Sequence, residues 1–122
     1  MSKIICNLVD YVFAEGIDVI LPDAVTLKPG YDWRNLPVRE KPTYSCETTQ
    51  ADAGPVKKES VTVVTKYDVD VFLKRHTAWG VVLRMRTDDK TFYVGTDRFP
   101  CMTEVSGDSI NDTFSFSATS IA

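Results

Sequence analysis

Residues 113–118 read Thr-Phe-Ser-Phe-Ser-Ala, a strict alternation of small polar and apolar side chains. A period of two places all the apolar members on one face of a strand, whereas on a helix they would scatter around the axis. The same period governs Glu59 to Tyr67. Val61, Val63, Thr65 and Tyr67 share one side, and Thr62, Val64 and Lys66 the other, which predicts a half-buried strand. Val81, Leu83 and Met85 alternate with Val82, Arg84 and Arg86. Thr87-Asp88-Asp89-Lys90 reads as a turn, and Thr91 to Gly95 as the returning strand of a hairpin. Pro100 and Cys101 to Val105 open another strand, which Gly107-Asp108 closes.

One segment has the helical period instead. Asp68 reads as an N-cap, and Val69, Phe72, Leu73 and His76 form an apolar stripe. Asp70 in the first turn and Lys74 and Arg75 in the last suit the helix dipole, with Gly80 as a stop. This predicts one short helix over about residues 68–77.

The first 42 residues are expected to be less regular. Gly16 and Pro22 bound Ile17-Asp18-Val19-Ile20-Leu21, which reads as a strand, while the apolar bursts before it fit strand or short helix equally. Pro22, Pro29, Pro37 and Pro42 fall in one window, so long regular structure is not expected there. Trp33, Tyr31 and Leu36 lie in that window, and a tryptophan in a loop is expected to be pinned to a core or a partner. Residues 48–58 are polar and contain Gly54-Pro55, which predicts an exposed, mobile loop.

Six or seven strands and a single helix exclude a doubly wound parallel sheet, which needs strands and helices in alternation. The expected fold is mainly β: one domain over 1–122, an antiparallel β-sandwich or partly closed barrel, with the helix covering one end or an open edge. Residues 43–122 would be its regular core, and no internal repeat is visible. The length of 122 residues, 43% hydrophobic and 25% charged, suits one globular domain and excludes coiled-coil and wholly disordered readings.

Positive evidence for catalysis is missing from the sequence. It has no Gly-x-Ser-x-Gly, no Gly-rich phosphate loop and no His-Glu-x-x-His. A hydrolase would need His76, the single histidine, with a carboxylate in reach, but the helical stripe makes His76 a packed or edge residue. Asp88-Asp89 sits in a turn, and Asp52 is a loop acid with no visible partner. Asp108, Asn111 and Asp112 lack the ligand order and closing glutamate of a calcium loop. Cys6, Cys46 and Cys101 are isolated and odd in number, so free buried thiols are expected rather than a disulfide framework or zinc site. No cofactor, metal or catalytic residue is therefore expected. The apolar run after Lys3 is too short for a signal-peptide core, which sets a cytoplasmic expectation.

Charge says more. A formal charge of −3 argues against wrapping nucleic acid, and no stretch is long enough for a membrane span. Residues 74–98 nevertheless hold six basic side chains against three acids, while the rest of the chain holds eight against fourteen. Two-signed surfaces of this kind can steer copies of a chain head to tail. Arg84 and Arg86, on the polar face of one strand, would act together, with Arg98 nearby in sequence.

Gln50-Ala51-Asp52-Ala53-Gly54, the Val61–Thr65 strand, Phe72 to Arg75, Val81 to Arg86, Tyr93 to Gly95 and Phe114 to Ser120 occur in this order. This layout resembles small prophage-encoded proteins of the Bacteroidetes group over about residues 45–120. The resemblance implies a phage tail-region structural protein, a tail-tube or tail-completion component with mobile loops that order on ring formation. It implies a homo-oligomer that also meets other tail or connector proteins, in the host cytoplasm and then in the virion. Arg84, Arg86, Arg98, Gln50, Asp52, Gly54 and Trp33 are the expected interface residues. The alternative is a soluble β-sandwich module binding carbohydrate or peptide, with Trp33, Tyr31 and Trp79 as its platform.

Overall fold

A computed structural model describes residues 2–21, 24–52, 54–96, 99–107 and 109–121. The strands are β1 (Ser2–Ile5), β2 (Leu8–Phe13), β3 (Ile17–Leu21), β4 (Ala24–Leu27), β5 (Arg34–Asn35), β6 (Thr43–Ala51), β7 (Gly54–Lys66), β8 (Val81–Arg86), β9 (Thr91–Val94), β10 (Met102–Gly107) and β11 (Asn111–Ile121). One short helix, α1 (Val71–Arg75), follows β7. The fold is mainly β, with antiparallel sheets that do not close into a barrel.

The first sheet has the order β1-β6-β7-β11-β10 and the second β5-β2-β8-β9, with β3-β4 as a separate ribbon. The alternations dictate the inward faces. Phe114 and Phe116 pair with Val63 and Val61 in register, and all four are buried. Val9 and Tyr11 of β2 pair with Met85 and Leu83 of β8, also buried. These side chains join one core cluster running from Cys6 to Ala118. The β3-β4 ribbon lies over a second, smaller cluster around Val12, Ile17 and Val82.

The chain changes sheets at two buried cysteines. Cys6 lies between β1 of the first sheet and β2 of the second, and its N–H donates to Pro42 O at 2.8 Å. Cys101 exchanges two backbone hydrogen bonds with Val81 of the second sheet, and the next residue opens β10 of the first. Burial pushes the Cys101 thiol up to about 12 and raises Cys6 as well. Sequence reading took all three cysteines as free thiols, and all three are free.

Three expectations need correction. The helix spans 71–75, not 68–77, and its N-cap is Asp70, whose carboxylate accepts the Leu73 N–H at 3.0 Å. Asp68 sits at φ 55°, a left-handed turn conformation that cannot start a helix. Of the apolar stripe, only Leu73 is fully buried, because five residues form little more than one turn and seat one side chain deeply. Residues 48–58 are not a loop: β6 and β7 pair in register as far as Ala51 opposite Gly54. Pro55 is the second residue of β7, at the start of the strand, where a missing N–H is best tolerated. Among the described residues the first 42 positions hold five short strands, since Pro29, Pro37 and Pro42 fall outside them, and β2 is an inner strand of the second sheet.

Candidate functional site

Two regions collect the residues that sequence singled out. The first is the hairpin end of the first sheet. β1 covers β6 only as far as Cys46, and β10 covers β11 only as far as Ser117. Beyond those points β6, β7 and β11 continue as a three-stranded blade, with Glu47–Ala51 paired to Gly54–Lys58 and residues 118–121 paired to 56–59. Five residues at about 3.4 Å each carry it about 17 Å past the covered sheet. Among the described residues no strand pairs with the outer edge of β6 or β11 in the blade. Gln50, Asp52 and Gly54 lie at its tip, with Gly54 at φ 117°. At its base the buried Glu59 accepts the Tyr44 hydroxyl at 2.7 Å and lies 3.7 Å from Lys57 Nζ. Burial, then this carboxylate, raises the Tyr44 phenol well above its ordinary value.

Arg84 and Arg86 do lie together, as their spacing requires, but the acid they meet belongs to their own chain. Arg84 Nε and Nη2 donate to Asp10 Oδ2 at 3.0 and 2.7 Å, and Arg86 Nη2 approaches the same oxygen at 3.4 Å. Asn35 Nδ2 donates to the other oxygen at 3.1 Å. The Arg84 guanidinium also lies 4.8 Å over the Trp33 ring, which packs beside Tyr93 at 5.9 Å. Trp33 is thus pinned inside its own chain, partly buried against the cluster under β3-β4. Arg98 lies outside the described residues.

The second region is a hollow of about 200 Å³ lined by residues of β2, the 30–34 segment and the α1 region. Phe13 is its floor, with rings set edge-on against it from Tyr11 (5.8 Å), Phe72 (5.7 Å) and Trp79 (5.1 Å). His76 lies between Phe72 and Trp79, 4.5 and 4.1 Å from their centroids, with Nδ1 2.8 Å from Phe72 O. Phe72 and Trp79 are 43% and 45% exposed and Tyr31 is 37% exposed. Lys28-Pro29-Gly30-Tyr31 sets Tyr31 in place. Its Tyr31 N–H donates to Lys28 O at 3.1 Å with Pro29 and Gly30 (φ 88°) at the centre, a type II turn. The Tyr31 ring then lies on Gly16, where a Cβ would come within 2.4 Å of ring carbon Cδ1. Glu15, Asp32 and Arg34 complete the lining, with Arg34 5.0 Å over the Phe72 ring.

Sequence reading named Tyr31 and Trp79 as a platform with Trp33. Tyr31 and Trp79 do share a hollow, but Trp33 does not line it. Phe13, Phe72 and Arg34 were missed as members. For Phe72 the helical stripe misled, because it read the ring as facing the core. Of the acids considered for chemistry, Asp88 accepts Asn7 Nδ2. Asp112 is buried and accepts the Asp68 N–H at 2.9 Å and Lys74 Nζ at 3.1 Å. Asp108 lies outside the described residues. Compared with models of protein families, with curated proteins and with solved structures, the chain finds no match.

Proposed function

We propose that this chain is a non-enzymatic structural protein that assembles with copies of itself, in the manner of a phage tail-tube or tail-completion component. The blade carries the reading. A sheet in which β6 runs five and β11 four residues past the covering strands presents, among the described residues, two rows of backbone donors and acceptors with no pairing strand, which a neighbour's strand can complete. The exposed side chains Thr48, Thr49 and Gln50 are polar and uncharged, which leaves Glu47, at the base of the blade, as the charge on the described β6 edge. The Asp10-bound arginines contribute to folding in this scheme, and the steering charges are the remaining surface ones.

Native mass spectrometry and electron microscopy at high protein concentration and low salt test this. The wild type should form discrete higher oligomers. Thr48→Lys with Thr119→Lys, one charge on each open edge, should be monomeric with an unchanged thermal midpoint. A wild type that stays monomeric and shows no rings would overturn the proposal.

A second reading, a module binding carbohydrate or peptide, is favoured by one observation: Tyr31, Phe72 and Trp79 present partly exposed rings around a single hollow.

A further inference from the structure

We infer that the hollow between Phe13, Tyr31, Phe72 and Trp79 is a binding site for one neutral sugar ring. It deepens the second reading above and is independent of assembly, since no residue lining the hollow belongs to the blade.

Size is the first argument. About 200 Å³ is below the roughly 300–1,000 Å³ of sites for drug-sized ligands. That size suits a ligand built on a single ring. Shape is the second. Tyr31 rests one face on Gly16 and Trp79 is backed by His76, so each ring is held and only its remaining surface is open to a ligand. Flat, held aromatic faces suit the C–H face of a pyranose, with apolar contact beneath and hydroxyls around the rim.

Charge decides the ligand class. Glu15, Asp32 and Arg34 all line the hollow. A cation would find the Phe72 face already occupied by the Arg34 guanidinium. An anion would meet two carboxylates. A neutral polyol avoids both conflicts. Its hydroxyls can donate to Glu15 and Asp32 and accept from Arg34, because a hydroxyl does both. The broader hollow of about 670 Å³ near Asn7, Lys41 and Asp88 has no aromatic lining, and Asp88 already accepts from Asn7.

The test is saturation-transfer NMR on the full chain with D-glucose, D-galactose and N-acetyl-D-glucosamine. At least one should bind saturably, with Kd of about 1 mM, as suits a small open site. Trp79→Ala should weaken that binding by about tenfold or more. Gly16→Ala should weaken it severalfold by lifting the Tyr31 ring, and Gly16→Ala with Tyr31→Ala should match Tyr31→Ala alone. Arg34→Gln should also weaken it, so the proposal stays testable if Trp79→Ala fails to fold. No saturable binding of any of the three sugars, binding unchanged in Tyr31→Ala and Arg34→Gln, or preferential binding of tetramethylammonium or phenyl phosphate would overturn it. Oligomers that form normally in a sugar-blind Tyr31→Ala variant would separate this outcome from the fate of the assembly proposal.

Discussion

Asp10 is 5% exposed, and one of its oxygens takes three contacts from two guanidinium groups. Removing it leaves Arg84 partly buried beside Trp33 with no acid. Removing Arg84 leaves Asp10 with Arg86 and Asn35. Asp10→Ala should therefore cost about 2–4 kcal/mol, and Arg84→Met clearly less, in urea unfolding followed by tryptophan fluorescence. Equal losses would show that the pair counts only as a pair. Tyr11 offers a second residue-level measurement. Its hydroxyl donates to Asp70 at 2.8 Å, and burial, then that carboxylate, holds the phenol up at about 12. The folded state thus holds the proton more tightly than the unfolded chain, whose phenol ionises near pH 10. The contribution is full below about pH 10 and is lost as pH rises from about 10 to about 12, a fall of about 2–3 kcal/mol. Tyr44 is raised too and loses stability in the same direction, so the readout is the difference between wild type and Tyr11→Phe across that range. The phenylalanine variant should show a shallower alkaline limb in unfolding titrations at stepped pH.

At the scale of elements, α1 is held by what lies before it rather than by its own length. Asp70 caps the Leu73 N–H with one oxygen and takes the Tyr11 hydroxyl with the other, tying the helix to β2. Asp70→Ala should lower stability by about 2–3 kcal/mol, the cap plus a buried hydroxyl left without its acceptor. Asp68→Gly should change it little. The left-handed φ favours glycine, which offsets the loss of a solvent-exposed pair with Lys74. Thermal unfolding of the two variants distinguishes these roles. The sequence could not choose between the two aspartates, because both are good N-cap residues two positions apart and only the register of the turn selects one. The hairpin β8-β9 and the faces of β7 and β11 were legible, since strict alternation leaves one inward set. The blade was not. Thr-Thr-Gln-Ala-Asp-Ala-Gly-Pro has turn composition, and strand length there depends on β11 arriving from sixty residues away. Half of the candidate hollow was legible for the same reason: Tyr31 and Trp79 are conspicuous singly, while Phe13 joins them only through the packing of β2 beside α1.

For the whole molecule, the N-terminal segment decides whether there is a fold at all. Composition marks residues 1–42 as the less regular part of one domain over 1–122. They are part of its core: Cys6, Val9, Tyr11, Phe13 and Leu36 are buried in the same cluster as Val61, Phe114 and Phe116. β2 also supplies the register partner for all six residues of β8, and β1 supplies the first sheet's edge. Without them β8 and β9 form a two-stranded ribbon, which is marginal in water, and the Val61–Phe116 face of the first sheet lies open. Residues 43–122 expressed alone should therefore show collapsed amide dispersion in NMR and no cooperative thermal transition. The full chain should show both dispersion and cooperativity. The opposite cut is the control. Shortening the blade by deleting residues 49–56, with a two-residue Asn-Gly turn in their place, removes no member of the buried cluster. That variant should keep cooperative unfolding and lose the oligomers. A folded 43–122 fragment would mean that the first sheet is self-sufficient, and that the second sheet is an addition to it rather than half of one core.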